Sequence, residues 1–348
     1  MQILIYKIGV FVFMNSSTLK TLLTEYENKR MQAIFDAEQR KIELYEKEPK
    51  LQEIDDELSK EAISVSKRII ISKDNSLLEN LNKKLNSLKK EKENILAKYG
   101  KNLDYLKPHY ECKDCSDTGY ITTSGKTIMC HCLKQKIFNL EYNKSNISNL
   151  EKENFEHFSF DLYSSEINEE KYHSKLSPRK NIEIIYRLAN NFIDNFEESS
   201  QKNLLFTGNT GLGKSFLSSC IAKEVLKKGK TVLYQTAPVM LDTIMDYRFG
   251  KTNISKDTYD NLLNVDLLII DDLGTESINN MKFTELFNII NSRLINSGKI
   301  TKTIISTNLS LDNLFSTYDE RIVSRLIGNY DICYFFGDDI RLKKRKMS

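Results

Sequence analysis

The sequence predicts an α/β protein whose C-terminal half is a parallel sheet carrying a phosphate-binding loop, preceded by a helical arm and a small cysteine module. Three observations lead there. From residue 203 onward short apolar segments alternate with helical ones, the pattern of strands joined by crossover helices. The first of those segments, Leu204-Leu205-Phe206, runs into GNTGLGKS, which satisfies G-x-x-x-x-G-K-[ST]. Upstream, residues 17–108 are rich in Lys, Glu, Leu and Asn and hold one Gly, Gly100, and one internal Pro, Pro49.

The 348 residues carry 51 Lys+Arg against 48 Asp+Glu, 40% hydrophobic residues, 4 Pro, 13 Gly and 6 Cys. At roughly 100–200 residues per domain there is room for about two domains and at least one real core. A disulfide miniprotein, a collagen-like chain and a wholly disordered one are excluded. The net charge of +3 gives no global argument for nucleic acid or membrane, so any such binding has to come from a local patch. An apolar run from Ile3 to Phe13 is interrupted by Lys7 and falls short of the ~18 residues that cross a bilayer. No small-residue cleavage site follows it. Met14 then opens Asn15-Ser16-Ser17-Thr18, a natural start and helix N-cap, so residues 1–16 read as a leader, non-native or disordered. Four of the six cysteines crowd into residues 112–132, and Cys220 and Cys333 stand alone in apolar surroundings, a usage that suits a reducing, cytoplasmic setting.

Residues 17–108 read as two long helices broken near Pro49, forming either an αα-hairpin or a coiled coil that grips a partner. Leu78, Leu81, Leu85 and Leu88, then Ile95, recur at helical spacing and share one stripe. Residues 109–150 are a four-cysteine module followed by an amphipathic helix over 135–148. The aromatic cluster FEHFSFDLYS, residues 155–164, has no helical period and is expected to pack against the α/β part that follows it; residues 151–348 are read together as the C-terminal domain. A helix is expected over 180–197, and strands over 203–207, 231–235, 267–271, 303–307 and 332–336.

The phosphate-binding loop is Gly208, Asn209, Thr210, Gly211, Leu212, Gly213, Lys214 and Ser215. Its glycines let backbone N–H groups curl round phosphates, Lys214 neutralises β/γ charge, and the Ser215 hydroxyl offers a ligand to Mg2+. Further on, LLIIDDLG delivers Asp271 and Asp272 at the end of a buried strand. Asp271 is assigned to magnesium and Asp272 to the attacking water. Asn308 ends a further strand, where a polar side chain reaches the water or the γ-phosphate, although Asn there is also ordinary turn chemistry. Arg321 and Arg325 stand at i,i+4 in DERIVSRLIG, and Arg341 follows in GDDIRLKKR. Such arginines stabilise phosphoryl-transfer charge or simply pair with neighbours such as Asp319 and Glu320.

Taken together, GNTGLGKS, LLIIDDLGTE, IISTN, and ERIVSRL followed by FFGDDIR resemble the AAA+ ATPases of the bacterial replicative helicase-loader family, the DnaC/DnaI type, with the transposition helper IstB as a close relative. The resemblance covers residues 155–344. It implies an AAA+ P-loop core with a truncated lid, ATP and Mg2+ as ligands, residues 208–215 as Walker A and Asp271/Asp272 as Walker B. It also implies Asn308 as sensor 1, Arg325 as an arginine finger acting in trans through self-association, and Arg341 as sensor 2.

The pattern Cys112-x-x-Cys115, fourteen residues, Cys130-x-Cys132 suits tetrahedral Zn2+. An iron–sulfur cluster or a redox thiol pair are the competing readings. His131 is excluded, because a tight Cys-His-Cys does not present three side chains to one ion. Similar modules lie upstream of the ATPase in DnaI-like loaders, where the N-terminal region contacts the helicase. Arg341, Lys343, Lys344, Arg345 and Lys346 make a basic tail that either touches DNA phosphates or is simply solvated. Contact with single-stranded DNA is implied by the resemblance alone. The expected function is an ATP-dependent loader of the replicative DNA helicase, with no membrane partner. The alternatives are an IstB-like transposition helper and a nucleotide-gated adaptor with little hydrolysis. The N-terminal extension favours the loader, and an adaptor that never hydrolyses needs neither Asp272 nor Arg325.

Overall fold

The computed structural model describes residues 16–71, 75–123, 125–141, 150–250, 256–277, 279–296 and 298–347, which fall into two compact units divided along the chain between Thr122 and Thr123. The start at Met14 and the cap at Asn15 lie outside the described residues, as does most of the leader.

The first unit holds α1 (Ser16–Lys47), α2 (Pro49–Ile71) and α3 (Asn75–Lys98). Pro49 opens α2, where its missing N–H costs nothing. Three helices thus stand where two are expected, because α2 ends at Ile71 and α3 begins at Asn75. The intervening sequence SKDNS is made of turn and helix-start residues. Lys92–Asp55 at 2.5 Å, Lys84–Glu57 at 2.8 Å and Lys84–Glu61 at 2.7 Å tie α2 to α3 as an antiparallel pair. Their seam buries Leu51, Ile54, Leu88, Ile95 and Leu96 with Leu44 of α1. Of the leucine stripe, Leu88 and Ile95 are buried and Leu85 is half-buried, while the side chains of Leu78 and Leu81 lie outside the description.

A hairpin of β1 (Tyr120–Thr123) and β2 (Lys126–Met129) leads to α4 (His131–Glu141), and residues 142–148 of the expected linker helix lie outside the described residues. The aromatic segment forms two 3-10 turns, and Phe155, Phe158 and Phe160 each meet Tyr186 with centroids 5.1 Å apart, Phe155 and Phe160 edge to face and Phe158 tilted. The short α5 (Glu169–Tyr172) and then α6 (Pro178–Asp194), capped by Ser177 and opened by Pro178, precede the sheet.

Five strands follow: β3 (Asn203–Thr207), β4 (Val232–Thr236), β5 (Leu267–Leu273), β6 (Lys302–Thr307) and β7 (Tyr330–Tyr334). They pair in parallel in the order β4-β5-β6-β3-β7. Successive side chains of a strand point to opposite faces, so each strand feeds two cores. Leu204, Phe206, Val232, Ile269 and Ile304 pack against α6 and α7 (Lys214–Lys227). Leu205, Leu233, Leu268, Ile270 and Ile305 pack against α8 (Ala237–Arg248), α9 (Lys256–Asn264), α10 (Asn280–Ile295), α11 (Leu311–Thr317) and α12 (Glu320–Asn329). After β7 the described residues hold one more helix, α13 (Ile340–Met347).

At the N-terminal end of β6, Arg293 is buried and donates to the carbonyls of Leu262 at 2.8 Å, Val265 at 3.0 Å and Lys302 at 2.7 Å, and to the Thr303 hydroxyl at 3.0 Å. Burial pulls its pKa down to about 10, so it stays charged at neutral pH. Arg293→Met keeps the stem and strands those acceptors, each costing about 1–3 kcal/mol unpaired. A loss of at least about 3 kcal/mol in denaturant unfolding is expected.

Candidate functional site

The loop after β3 is built by close approach. Gly208 has φ +135°, and a Cβ there would lie 2.1 Å from the Phe335 carbonyl oxygen. Gly213, at φ +92°, precedes α7, and a Cβ there would lie 2.7 Å from the Tyr163 hydroxyl. Tyr163 in turn donates to the Leu212 carbonyl at 2.9 Å, fixing the loop from the aromatic segment. Lys214 and Ser215 open α7, whose N-terminal N–H groups and dipole favour an anion. The Lys214 ammonium is held at the loop's centre by the carbonyls of Gly208 at 2.6 Å and Asn209 at 2.7 Å. Burial lowers its pKa, while the charges of Asp272 and Asp271 oppose that shift.

Asp271 and Asp272 end β5 but take different environments. Asp271 is buried and accepts from the Tyr234 hydroxyl at 2.9 Å and from the Ser306 hydroxyl. The ladder with β6 is irregular between Ile270 and Leu273, and Asp272 sits there at φ +55°. Such a bulge re-aims a side chain, and it turns Asp272 into the cavity beside Lys214. The backbone N–H of Asp272 donates to Ser306 Oγ at 3.1 Å, which fixes the turn. Burial, then the Asp271 charge, raises the Asp272 pKa above the usual carboxylate value, with Lys214 and Arg341 pulling it back.

The cavity, about 250 Å³, is lined by residues 210–215, Asp272 and Arg341 on one side and by His157, Phe158 and Tyr163 on the other. Arg341 reaches it because the Ile340 N–H donates to the Gly211 carbonyl at 2.9 Å and the Asp339 carboxylate caps the Arg341 N–H at 2.8 Å. Asn308 follows β6, the strand between β3 and β5, and is exposed; it is not among the cavity-lining residues. Arg325 is not among them either, and its helix packs in the layer across the sheet from α7. The side chains of Lys344, Arg345 and Lys346 lie outside the described residues. Tyr163, Tyr234, Ser306 and Asp339 were not expected from the sequence. A polar residue inside an apolar strand was the available signal for Ser306.

The sulfurs of Cys112, Cys115, Cys130 and Cys132 lie within 4.8 Å of one another. A tetrahedral zinc with Zn–S of about 2.3 Å spans sulfurs about 3.8 Å apart, so the donor set and its spacing fit that ion.

The sequence profile described as "IstB-like ATP binding protein" matches residues 168–348. The chain belongs to the IstB-like ATP-binding family. This IstB-like chain is 26% identical over 154 residues, 44% of its length, to the replicative helicase loader DnaC of Escherichia coli (strain K12). It spans 61% of that relative's own length. It is 29% identical over 177 residues, half of its length and 69% of the relative's, to DnaC of Buchnera aphidicola subsp. Baizongia pistaciae (strain Bp). Among solved structures, the crystal structure of the DnaC helicase loader has a TM-score of 0.39 at 22% identity, covering 51% of this chain and 96% of that one. By its family and its loop the IstB-like chain is a nucleotide-binding P-loop protein, with a helical N-terminal region and a four-cysteine cluster. Among the described residues no helix is long and apolar enough to cross a membrane.

Proposed function

We propose that this chain is an ATP-dependent loader that places the replicative DNA helicase on single-stranded DNA, with hydrolysis as the assembly switch. The carrying observation is the similarity to proteins named replicative helicase loader, in a chain that holds Lys214, Asp272 and Arg341 around one cavity. In this reading residues 17–108 and 109–150 form the arm and zinc module that bind the helicase, residues 151–348 are the ATPase, and residues 1–16 are a leader. Work in the cytoplasm follows from that role.

The N–H groups of residues 208–215 and the Lys214 ammonium bind the ATP phosphates. Ser215 and Asp271 would hold magnesium, which draws charge off the β- and γ-phosphate oxygens when bound. Asp272 accepts a proton from the attacking water as its oxygen bonds to the γ-phosphorus and ADP leaves. Asn308 orients that water, Arg341 contacts the nucleotide of its own chain, and Arg325 of a neighbouring copy stabilises the developing charge. Raised pKa and exposure to the cavity suit Asp272 to the base role. The hydroxyl donors of Tyr234 and Ser306 hold the Asp271 carboxylate in place, which suits it to the magnesium role.

Capture from the host proteome with the full chain tests the assignment: co-purification of the hexameric helicase is expected. Recovery of a transposase instead would replace it with the IstB-like helper reading. ATP binding without turnover in the presence of the helicase would replace it with the adaptor.

A further inference from the structure

Arg321 and Arg325 stand four residues apart on α12, so the sequence treats them alike. Both guanidiniums lie over the Phe287 ring, Arg321 at 5.1 Å and Arg325 at 4.5 Å from its centre, but their polar partners differ. The Nε and Nη2 of Arg321 lie 2.8 and 3.0 Å from the two carboxylate oxygens of Asp319, whose Oδ1 also accepts the Arg321 backbone N–H at 2.8 Å. Those contacts pull the Asp319 carboxyl down to about 2, so it stays ionised opposite Arg321 at any ordinary pH. Among the described residues Arg325 has no carboxylate partner. Its Nε donates to Asn291 Oδ1 at 2.6 Å, its Nη1 to the Arg321 carbonyl at 3.1 Å, and its guanidinium carbon sits 4.5 Å from the centre of the Phe287 ring.

Phe287 and Asn291 are one helical turn apart on α10, so ring and amide offer one guanidinium a face and an acceptor side by side. The geometry points to Asn291 and Phe287 as positioning residues that hold Arg325 ready for the nucleotide of a second copy of this chain. This rests on the proposed trans role of Arg325. Both partners are uncharged, so they remove rotamer freedom before assembly without neutralising the cation. A carboxylate in place of Asn291 would instead form the ion pair that already occupies Arg321. The Nη2 edge of Arg325 is left out of these contacts and is the edge available to a phosphate oxygen.

A mixed-chain ATPase assay with full-length protein separates the layers. Arg325→Ala supplies a working cavity without a finger, and Lys214→Ala supplies a finger without a working cavity. Their mixture is expected to hydrolyse ATP at least about tenfold faster than the sum of the two alone. Adding Asn291→Asp or Phe287→Leu to the Lys214→Ala donor is expected to remove most of that stimulation, while Phe287→Tyr, which keeps the ring face, and Arg321→Ala retain it. Because the donor's own cavity is already dead, only its presentation of Arg325 is read, and a thermal melt confirms that it is folded. Full stimulation by both the Asn291→Asp and Phe287→Leu donors would overturn the positioning role. Full stimulation by a Lys214→Ala/Arg325→Ala donor, or none by any donor, would overturn the trans reading beneath it.

Discussion

Asp272→Asn is expected to bind ATP and to hydrolyse it about 10²- to 10⁴-fold more slowly, the range that a positioned general base contributes. The substitution is chosen for the backbone as well as the chemistry. At φ +55° most side chains are strained, and Asn is among the few that tolerate the left-handed region. Asn therefore keeps the bulge, the bond from its N–H to Ser306, and the shape of the cavity, removing only the proton acceptor. Asp272→Ala would confound that loss with strain.

The pH dependence has a definite sign. Burial and the Asp271 charge raise the folded pKa of Asp272 above its ordinary 3.8. The acid limb of hydrolysis therefore sits above pH 3.8, and single-turnover rates across pH measure it. Between the unfolded and folded pKa values the native chain binds more protons, so stability falls as pH rises through that window. At neutral pH both states are ionised and the folded state bears the whole cost. Asp272→Asn is accordingly expected to melt higher than the parent at pH 7, and the difference to vanish once pH falls below 3.8. A variant that turns over ATP at the parental rate would remove Asp272 from the base role.

The strands and the loop were legible because their signals are local. Asn203–Thr207 is an apolar run that stops at a glycine, and an all-parallel sheet buries both faces of such a run. Strand ends moved by a residue or two, as at Val232–Thr236, where pairing with β5 rather than composition decides. The start of α3 at Asn75 was signalled by Asn75 and Ser76, residues that favour helix starts, but the leucine stripe after them reads as part of one longer helix. What the sequence concealed is lateral. Tyr234 meets Asp271 across β4 and β5, and Ser306 meets both aspartates from β6. None of these contacts has a periodicity, since each depends on which strands become neighbours. The spatial order β4-β5-β6-β3-β7 inserts β6, late in the chain, between the loop strand and the aspartate strand. That insertion is what sets Asn308 at the end of the strand flanked by both.

One zinc per chain is expected in metal analysis, and Cys112→Ser or Cys130→Ser is expected to lose it together with the fold of residues 111–133. The hairpin itself buries little apolar surface. Each hairpin strand has four residues, and β2 is exposed along three of its four. Between the first two cysteines and the hairpin the backbone takes positive φ at Ser116 (+52°) and Asp117 (+56°), conformations that cost free energy unless the surroundings impose them. Part of that imposition is visible: the Asp117 carboxylate accepts the N–H groups of Glu111 at 2.9 Å and Cys112 at 2.8 Å, and the Thr118 hydroxyl donates to the Cys115 carbonyl at 2.7 Å. These bonds turn the chain so that Cys112 and Cys115 face one point, and structural zinc contributes about 10–16 kcal/mol in small modules of this kind. Strong chelation should therefore erase amide protection across residues 111–133. The sheet, whose two cores are made of its own strands and helices, should keep its protection. Retained protection after complete metal removal would show that the cysteines are not structural ligands, and a visible-light absorbing iron–sulfur chromophore would assign them to a cluster instead.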